Sequence, residues 1–344
     1  TLFISKLNKN DYNIDPDNIG EIYHISLDKD IEKNLIKFKN NRSKFDIIFC
    51  KNYKIYYILK MIFKETPCIF SPSGIRYIGL KINNNYIKDI NLDKLFWKNL
   101  YNYKFIKCEN LCEFIVKNDK YLEKYVFEHA DKIVCNSLIT HNILLSYFKQ
   151  NKLKKNVEDP IYLTNINNIE VKNKSNFNSR KYDIGFIAHN WSRRYKNVNL
   201  MMEIIRIINK NINKSNIKIA IVGKLDTTFC NEIILYKNIT YFNYVKKEKI
   251  NNILNTIKTV IIVSKFDSNP NVLIESVKLG CNVITSINTG NNEFLNKELI
   301  VTEYNNPNEW VKVINKNLKT EYKYTGYTRQ DIINKLSKLF NSIV

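Results

Sequence analysis

The segment between residues 260 and 293 carries acidic and amide side chains where a predicted strand is followed by a helix. An apolar run ends at Val263 and is followed by a polar loop that contains Asp267 and Asn269. Pro270 suits the first turn of a helix, and that helix carries Glu275 eight residues after Asp267. A carboxylate accepts two or more O–H donors, and a helix N-terminus offers unpaired N–H groups to an anion. The segment therefore predicts a ligand site at the end of a strand.

A second polar loop is expected at the same edge of the sheet. It follows the apolar run at residues 282–285 and contains Gly290, Asn291 and Glu293. The loops after strand C-termini form the ligand crevice of an open α/β sheet. We therefore expect the two loops to lie side by side and to contact the same ligand.

A third strand-like run, at residues 183–188, leads into a group of basic side chains. His189 follows directly, and Arg193, Arg194 and Lys196 come next. Guanidinium and ammonium groups form charge-assisted hydrogen bonds with phosphate oxygens. These residues predict an anion site, although surface charge also explains the three cations and a structural role also explains His189.

Short β-branched runs alternate with longer amphipathic stretches along the chain. Buried strands that alternate with helices predict an α/β fold built on parallel sheets. A polar run at residues 164–180, rich in Asn, Ser and Lys, interrupts the alternation and predicts a linker. We therefore expect one domain at residues 1–165, a second at residues 175–325, and a terminal helix within residues 326–344.

The order of these motifs resembles the group 1 family of retaining glycosyltransferases, which have the GT-B fold. The run from Asp267 to Glu275 resembles the family's E-x7-E signature, with Asp in place of the first Glu. Residues 289–293 resemble the glycine-containing donor loop, and Lys196 matches the lysine that contacts the nucleotide diphosphate. The resemblance covers roughly residues 180–320. It is weak before residue 165, where the glycine-rich loop expected after the first strand is missing.

The resemblance implies two Rossmann-like domains that face a cleft, with a C-terminal helix packed back on the first domain. It also implies a metal-independent hexosyltransferase that moves a sugar from a nucleotide-diphosphate sugar to an acceptor with retention of configuration, and that needs no further cofactor. Asp267 would hold hydroxyls of the transferred sugar, and Glu275 would hold those of the ribose. The implied donor-binding set is Lys196, Arg193, Arg194, His189, Asn269, Asn271, Val272, Gly290, Asn291 and Glu293.

The first half of the chain offers fewer candidate residues. Ser73 and Gly74 follow a strand-like run and are candidates for the acceptor side, although a plain turn explains them equally well. The seven cysteines are scattered and form no CxxC pair, and Cys108 and Cys112 lack a second pair of ligands at zinc-site spacing. We therefore expect reduced thiols, a cytoplasmic location and no metal site.

The net charge is strongly positive. The chain has 54 Lys and Arg residues against 33 Asp and Glu residues, a net charge of +21. A composition rich in Lys, Asn, Ile and Tyr explains part of this excess, but the excess is larger after residue 170, where 27 basic residues face 13 acidic ones. A polyanionic partner is the competing explanation.

The expected partners are a nucleotide-sugar donor and an unidentified glycan, protein or lipid acceptor, with peripheral membrane contact and without nucleic acid. Two alternatives stay open. The first is a non-catalytic basic protein that binds nucleic acid or an anionic membrane. The second is a degenerate glycosyltransferase domain of a larger polypeptide.

Overall fold

The computed structural model describes most of the chain after residue 46. The described residues are 3–4, 22–23, 36, 47–72, 117–150, 152, 157–162, 174–210 and 217–343. Ser73 and Gly74, the candidates for the acceptor side, lie outside these ranges and stay predictions.

A four-stranded parallel sheet organises the first half of the described chain. Two short strands, β1 (Phe3–Ile4) and β2 (Ile22–Tyr23), pair in parallel apart from it. The sheet itself contains β3 (Ile48–Cys50), β4 (Cys68–Phe70), β5 (Lys132–Val134) and β6 (Val157–Glu158), in that spatial order. The described helices of this half are α1 (Tyr53–Ile62), α2 (Asp119–His129) and α3 (Leu138–Gln150).

The local sequence explains why these elements form. Strand β4 is buried at all three of its positions, as expected for a parallel strand covered on both faces. Helix α1 begins after Asn52, whose side-chain oxygen accepts hydrogen bonds from the N–H groups of Lys54 and Ile55 at 2.9 and 3.3 Å. Tyr56 on α1 then packs edge-on against Phe70, with ring centroids 5.9 Å apart.

A six-stranded parallel sheet organises the second half. Its strands are β7 (Tyr182–Asn190), β8 (Ile219–Lys224), β9 (Ile239–Phe242), β10 (Ile257–Ile262), β11 (Asn282–Ser286) and β12 (Ile300–Val301). The helices are α4 (Val198–Lys210), α5 (Thr227–Ile233), α6 (Lys247–Leu254), α7 (Asn271–Lys278), α8 (Pro307–Asn317) and the terminal α9 (Arg329–Asn341).

The strand order of this sheet creates a crevice. The order is β12-β11-β10-β7-β8-β9, so the chain builds outward from β7 through β9 and then returns to the other side of β7 with β10. At such a topological switch point the loops that follow the two central strands run in opposite directions and leave a ligand-sized opening between them. The loops after β7 and β10 are therefore the first place to look for a site.

Helix α9 packs back on the first sheet. Leu339 is buried in one apolar cluster with Ile69 and Val134, which lie on strands β4 and β5. The rings of Phe49 and Phe340 meet edge-on with their centroids 6.2 Å apart. These contacts confirm the predicted position of the terminal helix. The helix follows the second sheet in sequence and packs on the first.

Within the described ranges the predicted α/β alternation is confirmed, and two of the strands and helices found there were not predicted. These are the two-residue strand β6 and the seven-residue helix α5. Both are too short for a hydrophobic period to be recognised. Among the described helices, none combines the length and the apolar composition that crossing a bilayer requires.

The end of the predicted linker is anchored to the second sheet. Arg180 is buried, and its guanidinium donates hydrogen bonds to the carbonyl oxygens of Ile257 and Leu279 at 2.7 and 2.5 Å. These bonds satisfy a charged group that would be costly to bury unpaired. The boundaries of the predicted domains themselves stay predictions.

Candidate active site

The loop after strand β7 carries a lysine to the crevice. Trp191 is buried, and its Nε1 donates to the carbonyl oxygen of Val222 at 3.0 Å, which ties the start of the loop to β8. A single 3-10 turn, Arg194–Lys196, follows. The carbonyl oxygen of Tyr195 accepts a hydrogen bond from the Lys265 N–H at 2.8 Å. The loops after β7 and β10 are thereby joined by their backbones.

An ion pair between these two loops is the centre of the site. The Nζ atom of Lys196 lies 2.8 Å from the Oδ2 atom of Asp267, and the two side chains are only 18% and 16% exposed. The ammonium group also lies 5.0 Å from the ring centroid of Tyr195. A partly buried lysine and carboxylate, 71 residues apart in sequence, therefore meet at the switch point of the sheet.

The loop after β11 is paired with the loop that carries Asp267. The Asp267 N–H donates to the Asn288 carbonyl oxygen at 3.3 Å, and the Gly290 N–H donates to the Asp267 carbonyl oxygen at 2.8 Å. The side-chain amide of Asn291 donates to the Oδ1 atom of Asn269 at 2.5 Å. The two polar loops are thus side by side, as the sequence predicted from their positions after neighbouring strands.

Gly290 lies where the second sheet's loop approaches the first half of the chain. A Cβ atom at this position would lie 1.8 Å from the carbonyl oxygen of Ser268 and 2.7 Å from the Cβ of Ser137. Ser137 follows strand β5 and directly precedes helix α3. Glycine is therefore required here for close approach of the backbone to both neighbours.

Glu293 reaches across to the first half of the chain. Its Oε1 atom accepts a hydrogen bond from the Tyr162 hydroxyl at 2.7 Å and from the Leu138 N–H, at the start of α3, at 3.3 Å. The Tyr162 ring stacks on that of Tyr327 with centroids 4.7 Å apart, and Phe294 packs edge-on against both rings. Burial, followed by the hydrogen bond to Glu293, raises the pKa of Tyr162 well above its usual range. Glu293 therefore joins the two halves of the chain beside the crevice.

The remaining candidates lie on strand β7, on the loop that follows it and on helix α7. Glu275 is half-buried on helix α7, Asn271 is exposed at its first residue, and Val272 packs against an apolar cluster behind the sheet. Exposed His189 meets the Tyr244 ring edge-on at 5.3 Å. Arg193 donates to the Tyr195 hydroxyl at 3.2 Å.

Two contributors to the site were missed from the sequence. Tyr162 and the start of α3 at Ser137 and Leu138 belong to the first half, yet they contact Glu293 and approach Gly290. Ser137 follows an apolar strand and precedes an amphipathic stretch, which is the pattern of a helix cap at a strand end. That signal was available, whereas nothing local marks Tyr162.

The arrangement suits binding of a phosphorylated, polyhydroxylated molecule. Lys196 supplies a cation, Asp267 supplies an acceptor for hydroxyl groups, and the amides of Asn269 and Asn291 supply neutral polar groups. Within the described residues, no three His, Cys, Asp or Glu side chains are grouped in a way that could hold a metal ion.

Known proteins share both the sequence pattern and the fold. The model of the family described as "Glycosyl transferases group 1" matches residues 167–336. The structure is similar to that of TarM, with a TM-score of 0.61 and 16% identity over 89% of this chain and 57% of TarM. No curated protein sequence matches the chain.

Two further solved structures are similar. One is a mutant of S. aureus TarM in complex with fondaparinux, α-GlcNAc-glycerol and UDP, with a TM-score of 0.58 and 14% identity over 89% of this chain and 58% of that one. The other is sucrose-phosphate synthase from Thermosynechococcus elongatus, with a TM-score of 0.53 and 12% identity over 91% of this chain and 77% of that one. The chain thus spans little more than half the length of TarM, and the TM-scores show a shared fold.

Proposed function

Residues 167–336 belong to the group 1 glycosyltransferase family, within a chain of GT-B fold, and we propose from this premise that the protein transfers a sugar from a nucleotide-diphosphate sugar to an acceptor. The observation that carries the proposal is the ion pair between Lys196 and Asp267 at the switch point, 2.8 Å long and largely shielded from water. It offers a cation and a carboxylate within reach of one ligand.

The diphosphate of the donor would bind at Lys196. Diphosphate oxygens need cationic or N–H donors, and the low exposure of Lys196 strengthens such a bond relative to one at the surface. The exposed guanidinium groups of Arg193 and Arg194 lie in the same loop and would add to the local positive potential. When the sugar–phosphate bond breaks, negative charge grows on the leaving diphosphate, and a cation already in position stabilises that charge.

The sugar hydroxyls would bind at Asp267. The carboxylate of Asp267 accepts a hydrogen bond from Lys196, so donor binding would exchange one partner for another. The diphosphate would take the ammonium group, and the carboxylate would accept hydroxyl groups of the transferred sugar. Glu275, on the helix that starts four residues after Asp267, would hold the ribose hydroxyls.

Retention of configuration and independence from metal ions are part of the proposal. Retention rests on the resemblance of the Asp267–Glu275 segment to the family signature. Metal independence rests on the presence of Lys196 and two arginines, which supply the positive charge that a metal ion would otherwise provide. The complex of S. aureus TarM with UDP supports a nucleoside diphosphate as the carrier.

A donor screen with a matched control tests the proposal. The chain contains a second ion pair of the same kind, Lys258 with Asp183, also 2.8 Å long and 21% and 25% exposed. We expect one of the UDP-, GDP-, ADP- or CMP-sugars to raise the unfolding temperature of the wild type, because a ligand that binds only the native state stabilises it. The Lys196→Met and Asp267→Asn variants should lose this shift, while Lys258→Met and Asp183→Asn should keep it.

A transfer assay with the stabilising donor then checks the chemistry. Transfer should persist in EDTA and should be lost in Asp267→Ala and in Glu275→Ala, and NMR of the product should show the anomeric configuration of the donor. Full transfer by both variants would contradict the site assignment. A donor shift that all four ion-pair variants lose equally would contradict a specific role for the Lys196–Asp267 pair.

A further inference from the structure

A pocket lies at the edge of the second sheet opposite the crevice. It has a volume of about 560 Å³ and lies at the amino ends of strands β7, β8 and β9. Its lining includes Lys181, Lys218 and Lys237, together with Leu235 and Tyr236. Neither the proposed donor chemistry nor the contacts between the two halves of the chain use any of these residues.

Two aliphatic side chains protrude beside this pocket. Ile234 and Leu235 follow helix α5 and are 73% and 78% exposed, more than any other large apolar side chain among the described residues. A single exposed apolar residue needs no explanation, but two adjacent and almost fully exposed ones leave a hydrophobic projection in water. We call Lys181, Lys218, Lys237, Ile234 and Leu235 the basal face.

Two acidic side chains near the basal face are already paired with other basic residues. Glu232 binds Arg206 through two hydrogen bonds of 2.7 Å. Asp183 binds Lys258 at 2.8 Å and accepts the Lys218 N–H at 2.9 Å.

The lysines of the basal face have no such partners. They are exposed, and within the described part of the chain none of the three is ion-paired. Three positive charges without an ion-pair partner therefore line the same pocket as Leu235, which is adjacent to Ile234.

We propose that the basal face docks on an anionic phospholipid bilayer. The three ammonium groups would contact headgroup phosphates, and Ile234 and Leu235 would enter the boundary between headgroups and acyl chains. A nucleic acid matches the lysines but offers little to two aliphatic side chains, since bases bind proteins through stacking and hydrogen bonds. A bilayer matches both features at once.

This docking would set the orientation of the crevice. The basal face lies at the amino ends of strands whose carboxyl ends lead to the crevice, and the six-residue strand β8 spans about 20 Å. The crevice would then stand roughly that far above the headgroups. The proposal does not depend on the proposed transferase activity, because docking can be measured without any donor or acceptor.

Vesicle sedimentation with paired variants tests the proposal. Vesicles of phosphatidylcholine alone are compared with vesicles that contain about one third phosphatidylglycerol. The basal variant Lys181→Gln/Lys218→Gln/Lys237→Gln is matched by Lys64→Gln/Lys149→Gln/Lys338→Gln, which removes the same charge from exposed lysines elsewhere. Ile234→Ser/Leu235→Ser is matched by Met61→Ser/Ile333→Ser, whose side chains are also exposed.

We expect the wild type to bind the anionic vesicles and to release them as salt is raised. The basal lysine variant should bind roughly a hundredfold more weakly, at about fivefold per lysine, and its matched control only a few-fold more weakly. Ile234→Ser/Leu235→Ser should also lose binding, whereas Met61→Ser/Ile333→Ser should retain it.

Equal losses in the basal variants and their controls would overturn the proposal in favour of non-specific attraction by the net charge. Equal binding to neutral vesicles would also overturn it. If millimolar glycerol 3-phosphate released the protein from the vesicles, the ligand of the basal face would be a soluble phosphate compound and not a bilayer. The wild type could also bind single-stranded RNA. If the basal lysine variant lost that binding but still bound vesicles, the ligand of the basal face would be a nucleic acid and not a bilayer.

Discussion

At the crevice, close contacts between backbone atoms restrict which residue can occupy a position, just as the need for a charge does. Gly290 has its backbone against the Ser268 carbonyl oxygen on one side and the Ser137 side chain on the other. Its own N–H donates to the Asp267 carbonyl oxygen, so the position of the acidic loop depends on it. A neutral residue with no side chain thus helps to position the carboxylate proposed to bind sugar.

Gly290→Ala should lower both stability and donor binding. The added Cβ would overlap a backbone oxygen, which cannot rotate away, so we expect a loss of about 1–3 kcal/mol in the free energy of unfolding. Gly185→Ala is the control, because the three atoms nearest to its Cβ would all belong to the flexible side chain of Ile257. Urea denaturation and the donor-dependent thermal shift measure the two effects. A Gly290→Ala variant as stable as wild type, with an unchanged donor shift, would contradict the close packing of the two loops.

At the scale of elements, the terminal helix α9 joins the two sheets. It follows the second sheet in sequence, but Leu339 packs against the first, in the cluster with Ile69 and Val134. The Tyr327 ring, just before the helix, stacks on Tyr162. The helix therefore links the second sheet, which it follows in sequence, to the first sheet, on which it packs.

Leu339→Ala should destabilise the chain by about 2–4 kcal/mol, because the side chain is buried and its removal leaves a cavity. Ile333→Ala on the same helix should cost less than about 0.5 kcal/mol, since Ile333 is exposed. Equilibrium denaturation gives both values, and equal losses would mean that α9 does not pack through Leu339.

At the scale of the whole molecule, several thiols are buried in the two cores. Cys50 and Cys281 are buried and, with Cys68 and Cys135, are free thiols. Burial raises the pKa of Cys50 to about 12 and that of Cys281 to about 11, from an ordinary value of 9.0. The folded chain therefore holds these protons more tightly than the unfolded chain does. Its free energy of unfolding must therefore vary with pH in the alkaline range.

Stability should fall as the pH rises above about 9. The unfolded chain loses thiol protons there while the folded chain keeps them, so the unfolded state gains free energy, roughly 1–2 kcal/mol per buried thiol at pH 10.5. Urea midpoints at pH 8 and 10.5 measure the change. Cys50→Ala should reduce the change in the free energy of unfolding between pH 8 and 10.5 by the contribution of one buried thiol. An unchanged pH dependence would show that the Cys50 thiol has the same pKa in the folded and the unfolded chain.

Local pattern was sufficient to predict much of the fold and part of the site. The alternation of apolar runs and amphipathic stretches, and the polar loops around Asp267 and Gly290, are visible without a structure because periodicity and strand ends are local properties. The partners of those loops are not local. Nothing near Glu293 predicts a hydrogen bond to Tyr162, which is 131 residues away.

The sequence by itself determined the α/β class, the strand-end loops and the acidic, basic and amide residue types in those loops. Only the tertiary structure decided that β10 returns beside β7, that Lys196 thereby reaches Asp267, and that Ser137 and Tyr162 complete the crevice from the other half. The physical reason is that hydrophobic periodicity specifies which face of each element is buried. The choice of neighbour depends on how all the elements pack together, because many pairings can bury the same faces.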